Sequence, residues 1–275
     1  MTGHVTEPTA ALADQLPGWV TLVRAPNPGP MTLDGTNTWL LRGSSARETV
    51  VIDPGPPDPR HLDAIMAHAP IALILVTHGH HDHVEAVAEL AARSGAAVCG
   101  LVDGYERPDD LRTGAPFSVA GVTITTLVTP GHTQDSVCFL VEGAGERAIF
   151  TGDTILGRGT TVIAYPEGDL GAYLESLRLL SAYDDVPALP GHGPALADCA
   201  AAARFYLAHR EARLDQVRQA VRAGARTAPE VVAAIYADVD RSLWPAAEMS
   251  VRAQLAYLAR EDREFGPGAV ELDSL

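Results

Sequence analysis

Apolar runs of strand length punctuate this chain, and several of them end on a side chain able to bind metal. Residues 19–23, 37–41, 49–52, 71–76, 97–99, 122–128, 136–141, 148–150 and 188–190 have the length and the β-branched content of strands. Residues 61–68 and 85–93 fit helices, and 170–182 carry Leu174, Leu177 and Leu180 at helical spacing. Residues 103–118 are polar and rich in charge and read as surface loop. Strands interleaved with helices in this way define an α/β fold.

Beyond residue 195 the pattern changes. Residues 195–223 are helical and alanine-rich, with Phe205, Leu207 and Leu214 among charges. Thr227-Ala-Pro-Glu230 is a capping box with proline in the first turn, opening a helix through Val231, Val232 and Ile235. Residues 242–248 read as a short connection, and Val251, Leu255 and Leu258 give one face of a last helix. Phe265-Gly-Pro-Gly268, with apolar Val270 and Leu272, fits a small hairpin. Helices followed by such a ribbon fit a winged-helix-like module; the other reading is a helical tail packed on the first domain. The expected division is a catalytic domain over 1–205 and a winged-helix-like domain over 206–275.

The chemistry sits where strands end. The apolar run 71–76 delivers Thr77-His78-Gly79-His80-His81-Asp82-His83, which places metal-capable side chains within six residues of one another directly after a buried strand. Histidine is the commonest metal ligand and aspartate a hard oxygen donor, so the cluster suits zinc or a similar divalent ion. Three later strand ends deliver His132, Asp153 and His192, each with a glycine directly before it. Glycine there lets backbone approach closely. Separate deliveries of this kind point to one shared site. Asp53 precedes Pro54, which disfavours the helical region for it, so it belongs at a strand end. Its carboxylate either points at the site or closes an Asx-turn. Thr160 and Thr161 fit substrate hydrogen bonds or a capped turn equally well. His81 reads as a surface residue, and His4, His61, His68 and His209 have no expected metal role.

Composition narrows the class. The net charge is −15, with no lysine among the 20 basic residues. Residues 1–205 carry 11 Arg against 24 Asp and Glu, whereas 206–275 carry 9 against 11. Such acidity disfavours non-specific attraction to nucleic acid. No run approaches the roughly eighteen apolar residues of a membrane span, and the start of the chain does not look like a signal peptide, so a cytoplasmic protein is expected. Cys99, Cys138 and Cys199 are too widely spaced for a metal pair and read as small buried hydrophobes.

Asp53, His78-x-His80-x-Asp82-His83, His132, Asp153 and His192, in that order over residues 20–195, resemble the metallo-β-lactamase superfamily. The resemblance implies a four-layer αβ/βα sandwich, two sheets face to face with helices outside, and a two-metal site at one edge. By that resemblance His78, His80 and His132 hold the first metal, Asp82, His83 and His192 the second, and Asp153 bridges both. Two divalent cations are implied, zinc by ligand type, with iron or manganese also fitting a mixed His/Asp site. The activity implied is hydrolysis by a metal-bridging hydroxide. Asp153 and Asp82 are the residues expected at the chemistry, and Asp53 is expected to steady a ligating histidine.

Residues 27–39, 152–162 and the tail around Ala234-Ile-Tyr236, Leu243-Trp-Pro-Ala246 and Arg252 resemble the β-lactamase-like protein 2 type, a group typified by a single-strand endoribonuclease. Fungal polyketide thioesterases share much of the same catalytic domain. Two substrates therefore stand open: single-stranded RNA, or a small ester, thioester or lactone cleaved as by glyoxalase II or an acyl thioesterase. A third reading is a metal- or partner-binding protein without turnover. After the last histidine of the cluster Val84-Glu85-Ala86 replaces the small residues usual in such relatives, which alters the substrate rim and removes no ligand.

Overall fold

The computed structural model describes residues 11–12, 16–106 and 108–265. Strands β1 (Val20–Arg24), β2 (Asn37–Leu41), β3 (Thr49–Ile52), β4 (Ile71–Leu75) and β5 (Ala97–Cys99) lie side by side in one sheet. Strands β6 (Phe117–Val119), β7 (Val122–Val128), β8 (Val137–Gly143), β9 (Glu146–Gly152) and β10 (Ala188–Pro190) form a second sheet in the order β10-β9-β8-β7-β6. The described helices are α1 (Pro59–Met66), α2 (His81–Val84), α3 (Val87–Ser94), α4 (Asp109–Thr113), α5 (Leu170–Leu180), α6 (Cys199–Arg222), α7 (Ala228–Ile235) and α8 (Trp244–Phe265).

Alternation along the strands sets the layers. Trp39, Leu41 and Ile52 point from the first sheet towards Phe139, Val141 and Phe150 of the second, and the Trp39 and Phe150 rings meet edge-on with centroids 5.8 Å apart. The intervening residues Leu40, Val51 and Ile74 point the other way, onto Leu62 and Ile65 of α1 and Leu90 of α3. On the far side of the second sheet Cys138 and Ile149 pack with Leu174 and Leu177 of α5 and with Tyr206 of α6. The same cluster continues into Val231 of α7 and Val251 of α8. The order is helix, sheet, sheet, helix, as expected for the αβ/βα sandwich, with strands buried on both faces. All three cysteines are buried and free. No described helix is long and apolar enough to cross a membrane.

Three segments differ from expectation. Residues 103–118 contain α4 and β6 rather than loop alone. Strand β6 pairs with β7 through a two-residue turn in which Ala120 and Gly121 both have positive φ, 49° and 76°. Such a turn normally announces itself with Asn-Gly or Asp-Gly, and Ala-Gly hides it. The helix expected over 85–93 is α3, which starts at Val87, and an unexpected one-turn helix, α2, forms inside the histidine cluster. Residues 242–248 are mostly helix: Arg241–Leu243 form a 3-10 turn capped by Asp240, and α8 starts at Trp244 with Pro245 in its first turn. The capping box at Thr227 forms with both of its hydrogen bonds. Helix α6 runs unbroken through residue 205. The hairpin expected after Phe265 lies outside the described residues.

Candidate metal centre

Loops at one edge of the sandwich bring the expected donors together. The end of β4 supplies His78 and His80, and the one-turn helix α2 turns Asp82 and His83 inward while His81 faces solvent. The ends of β7, β9 and β10 lead into His132, Asp153 and His192. Gly191 explains the spacing before the last of these. A Cβ on it would stand 2.6 Å from Asp153 Oδ1 and 2.7 Å from His83 Cε1, so only glycine lets the chain pass.

The donors fall into two groups. His78, His80, His132 and Asp153 form one and Asp82, His83 and His192 the other, the donor atoms within each lying no more than 4.8 Å apart. In the first, His80 Nδ1 is 3.0 Å from both His78 Nε2 and His132 Nε2. In the second, His192 Nε2 is 3.2 Å from His83 Nε2 and 3.0 Å from Asp82 Oδ2. Asp153 stands between them, its Oδ2 3.8 Å from His132 Nε2 and 3.4 Å from His192 Nε2. Its Oδ1 is buried with no hydrogen-bond partner among the described residues. Ring nitrogens converging on common points beside an unsatisfied buried carboxylate oxygen are what a divalent cation would satisfy. The residues present fit a metal.

Partners outside the cluster aim the rings. Asp53 Oδ2 is 2.8 Å from His83 Nδ1, and the same carboxylate accepts from Thr77 N at 2.8 Å and Thr77 Oγ1 at 2.6 Å. With Nδ1–H donated to Asp53, the His83 Nε2 lone pair faces the site. Asp53 does this from a left-handed backbone, φ 52°, rather than the extended one that its proline neighbour favours. Three contacts on one carboxylate hold it there. His132 Nδ1 donates to the Val162 carbonyl at 2.8 Å. His192 Nδ1 is 3.4 Å from the Gly35 carbonyl, and Thr36 Oγ1 lies 3.4 Å from Asp82 Oδ2. Glu167 approaches the outer nitrogen of His80 at 3.6 Å.

Electrostatics agree with a cation site. Burial disfavours the charged imidazole and pulls His78 and His132 below the usual histidine range. Burial works the same way on His192, but the Asp153 and Asp82 carboxylates outweigh it and lift its pKa to about 10. Asp82 is pushed up by burial and held down at about 2 by the His192 hydrogen bond and the His83 charge. Ionised carboxylates that stabilise a cationic ring this strongly attract metal cations for the same reason.

The cluster floors a cleft of about 250 Å³ walled by Pro30, Met31, Leu33, Leu156 and Val162, with Arg158 and Thr160 at its polar side. Thr161 lines the cleft too, with its Oγ1 3.2 Å from His132 Nδ1. His81 faces solvent beside Glu85, and His61 is bound to Thr38 and Pro54 away from the donors. Gly35, Thr36, Glu167 and Val162 carry no local signal of their own. Their roles follow from contacts made over 25 to 160 residues of sequence, on the order of what loops on one rim require.

These features define a metallo-hydrolase-like centre on an αβ/βα sandwich. The metallo-beta-lactamase superfamily model matches residues 31–113 and 102–192, and the beta-lactamase associated winged helix domain model matches 227–263. The chain belongs to the metallo-β-lactamase superfamily and carries the associated winged helix domain. It is 34% identical to the lactamase-like protein vrtG of Penicillium aethiopicum, over 94% of this chain and 87% of that one. It is 35% identical to an atrochrysone carboxyl ACP thioesterase of Aspergillus chevalieri, over 80% of this chain and 74% of that one. A solved beta-lactamase domain protein from Burkholderia ambifaria shares the fold with TM-score 0.71 at 22% identity, over 90% of this chain and 92% of its own.

Proposed function

We propose that this protein is a metal-dependent hydrolase of acyl thioesters, holding two divalent cations, zinc by donor type, on its two donor groups. The observation that carries the reading is the apolar-walled cleft directly above the donors. An acyl chain lies against Pro30, Met31, Leu33 and Leu156, which places its carbonyl over Asp153 and the histidines. The relative named as an ACP thioesterase supports the same substrate class.

Two cations bound there would supply water of lowered pKa and polarise the acyl carbonyl. The protein's own residues do the rest. Asp153 joins the two donor groups and fixes their separation. Asp82, which keeps about a quarter of its side chain exposed at 28%, orients the attacking water. The new C–O bond forms, the C–S bond breaks, and the proton given up by the attacking water passes to the departing thiolate. Thr160 is placed to hydrogen-bond the substrate, and Met31 and Leu33 keep bulk water from the acyl group.

The endoribonuclease expected from the sequence resemblance has less support. Among the described lining residues none carries a phenyl, phenol or indole ring for base stacking. The relatives above are lactamase-like proteins and a carrier-protein thioesterase. Two assays on zinc-loaded protein, with Asp153→Ala as the blank, decide between them. Acyl thioester hydrolysis that disappears in the variant, with unstructured RNA left intact, is the expected result. Asp153-dependent RNA cleavage without thioester turnover would sink the thioesterase reading.

A further inference from the structure

We propose that Arg210, far from the donors in sequence and carried on α6, is a positioning residue that sets the orientation of His132 and so the affinity of the first donor group. The inference deepens the reading above, taking from it only that a divalent cation is what the group holds.

Arg210 is 4% exposed, yet among the described residues no carboxylate pairs with it. Its Nη2 donates to the carbonyl of Thr161, its guanidinium carbon lies 5.4 Å from the centre of the Tyr173 ring, and its Nε has no hydrogen-bond partner among the described residues. A buried cation with so few partners is costly to keep, and an apolar side chain of similar volume commonly does as well or better for stability. Something other than stability retains it.

What it holds is the segment that aims His132. Thr161 Oγ1 is 3.2 Å from His132 Nδ1, and the next residue's carbonyl, that of Val162, accepts from the same nitrogen at 2.8 Å. The stretch from Asp153 to Val162 is tied to the helices at two further points. Tyr173 of α5 donates to the Thr154 carbonyl at 2.7 Å, and the Tyr206 hydroxyl of α6 accepts from Leu156 N at 3.0 Å. The two tyrosines fix the start of the segment beside Asp153. Arg210 is the contact at its far end, where the acceptor of the His132 ring sits. Without it the Val162 carbonyl is free to drift, and the ring loses the hydrogen bond that directs Nε2 at its neighbours. Through Arg210, helix α6 thereby links the winged helix side of the molecule to the acceptor of the His132 ring.

The test is Zn²⁺ titration followed by calorimetry, with Co²⁺ absorption as a second readout, in two backgrounds. His192→Ala leaves the first group complete, and His80→Ala leaves the second. Adding Arg210→Met is expected to weaken the first group by about 10- to 100-fold, to leave the second within about threefold, and to leave the melting temperature unchanged or higher. A merely structural arginine would lower the melting temperature and weaken both groups together, or neither, and either result overturns the proposal. Should Arg210→Met fail to fold, Arg210→Lys decides. It keeps the charge but lacks the fork that reaches Thr161, so a loss confined to the first group supports the proposal and unchanged affinities overturn it. Binding is read without substrate, so absence of thioester turnover would strike the proposed activity alone. Wild-type protein that takes up no Zn²⁺ would overturn both.

Discussion

The two donor groups are a few ångströms apart and are built in different ways. The second group rests on the core. His83 and His192 are almost fully buried, and His83 is gripped by Asp53, whose carboxylate is itself held by the backbone and hydroxyl of Thr77. In the first group His78 is just as buried, 3.0 Å from Thr77 Oγ1, but its other two rings rest on loops. His132 leans on a carbonyl of the 157–162 loop, and His80 keeps about a third of its side chain exposed with only Glu167 nearby. His78 and His83 are therefore fixed beside strand ends and Asp53, whereas His80 and His132 of the first group are adjusted by segments that also wall the cleft. Donors of the same chemical type, on this reading, are divided between a rigid anchor and a tunable face.

The sharpest way to break that comparison is Asp53→Ala. It strips His83 of its partner and leaves the buried Thr77 N–H unsatisfied. Removing one member of such a buried pair costs on the order of 3 kcal/mol, and loss of a ligand-orienting carboxylate lowers metal affinity by about 10- to 100-fold. The second group should weaken selectively, measured by Zn²⁺ titration beside thermal unfolding. Asp53→Asn should fall between, since asparagine tolerates the positive φ but cannot carry the charge. Equal weakening of both groups by Asp53→Ala would mean that the anchor serves the whole site and that the division is false.

Gly191→Ala attacks the point that the groups share. The new methyl would collide with Asp153 Oδ1 and His83 together, and overpacking of this kind costs about 1–3 kcal/mol. Both groups should lose affinity, by equal factors in the two titrations. A loss confined to the second group would show that Asp153 yields without disturbing His132 and that the bridge between the groups is slack.

The difference between the groups also explains what the sequence disclosed. His78, His80, Asp82, His83, His132, Asp153 and His192 are legible because metal-binding side chains at strand ends are rare and their strands are strongly apolar. The strands were legible as apolar runs, and their stacking in layers came from the family resemblance of the donor residues. The supports of the second group were half legible: Asp53 stood out before Pro54, but its left-handed backbone did not, because tertiary contacts override a local preference. The supports of the first group were hidden. Arg210 and Thr161 meet across 49 residues of sequence, and neither has a periodicity that marks it. The start of helix α8 was misjudged and strand β6 was missed, where a proline and an Ala-Gly turn carry weak local signals.

A smaller effect is expected where the two walls of the cleft meet. Asp34 and Arg158 pair at 2.7 and 2.9 Å, and both stay largely open to water. Such exposed pairs contribute little to stability and are screened by salt. Yet Asp34 lies one residue from the carbonyl that meets His192, and Arg158 belongs to the loop that holds His132. Arg158→Ala should barely alter melting while raising KM for the acyl thioester, and added salt should reduce the gap between variant and wild type. A change in Zn²⁺ affinity at the second group would show that the tunable wall reaches the anchor.

The smallest effect belongs to Glu167→Gln, and it bears most directly on whether the first group is loop-held. The carboxylate approaches His80 Nε2 at 3.6 Å, beyond hydrogen-bonding range, from a side chain that is itself mostly exposed. Water competes for both partners at that distance, so the pair does little to fix the ring. Zn²⁺ affinity of the first group, read in the His192→Ala background, should change by about twofold or less. The contrast is with Asp53, whose carboxylate touches its histidine where no solvent enters. If Glu167→Gln instead weakened the first group as much as Asp53→Ala weakens the second, His80 would have a carboxylate anchor of its own. The two groups would then be built alike, and the tunable face would reduce to the single ring of His132.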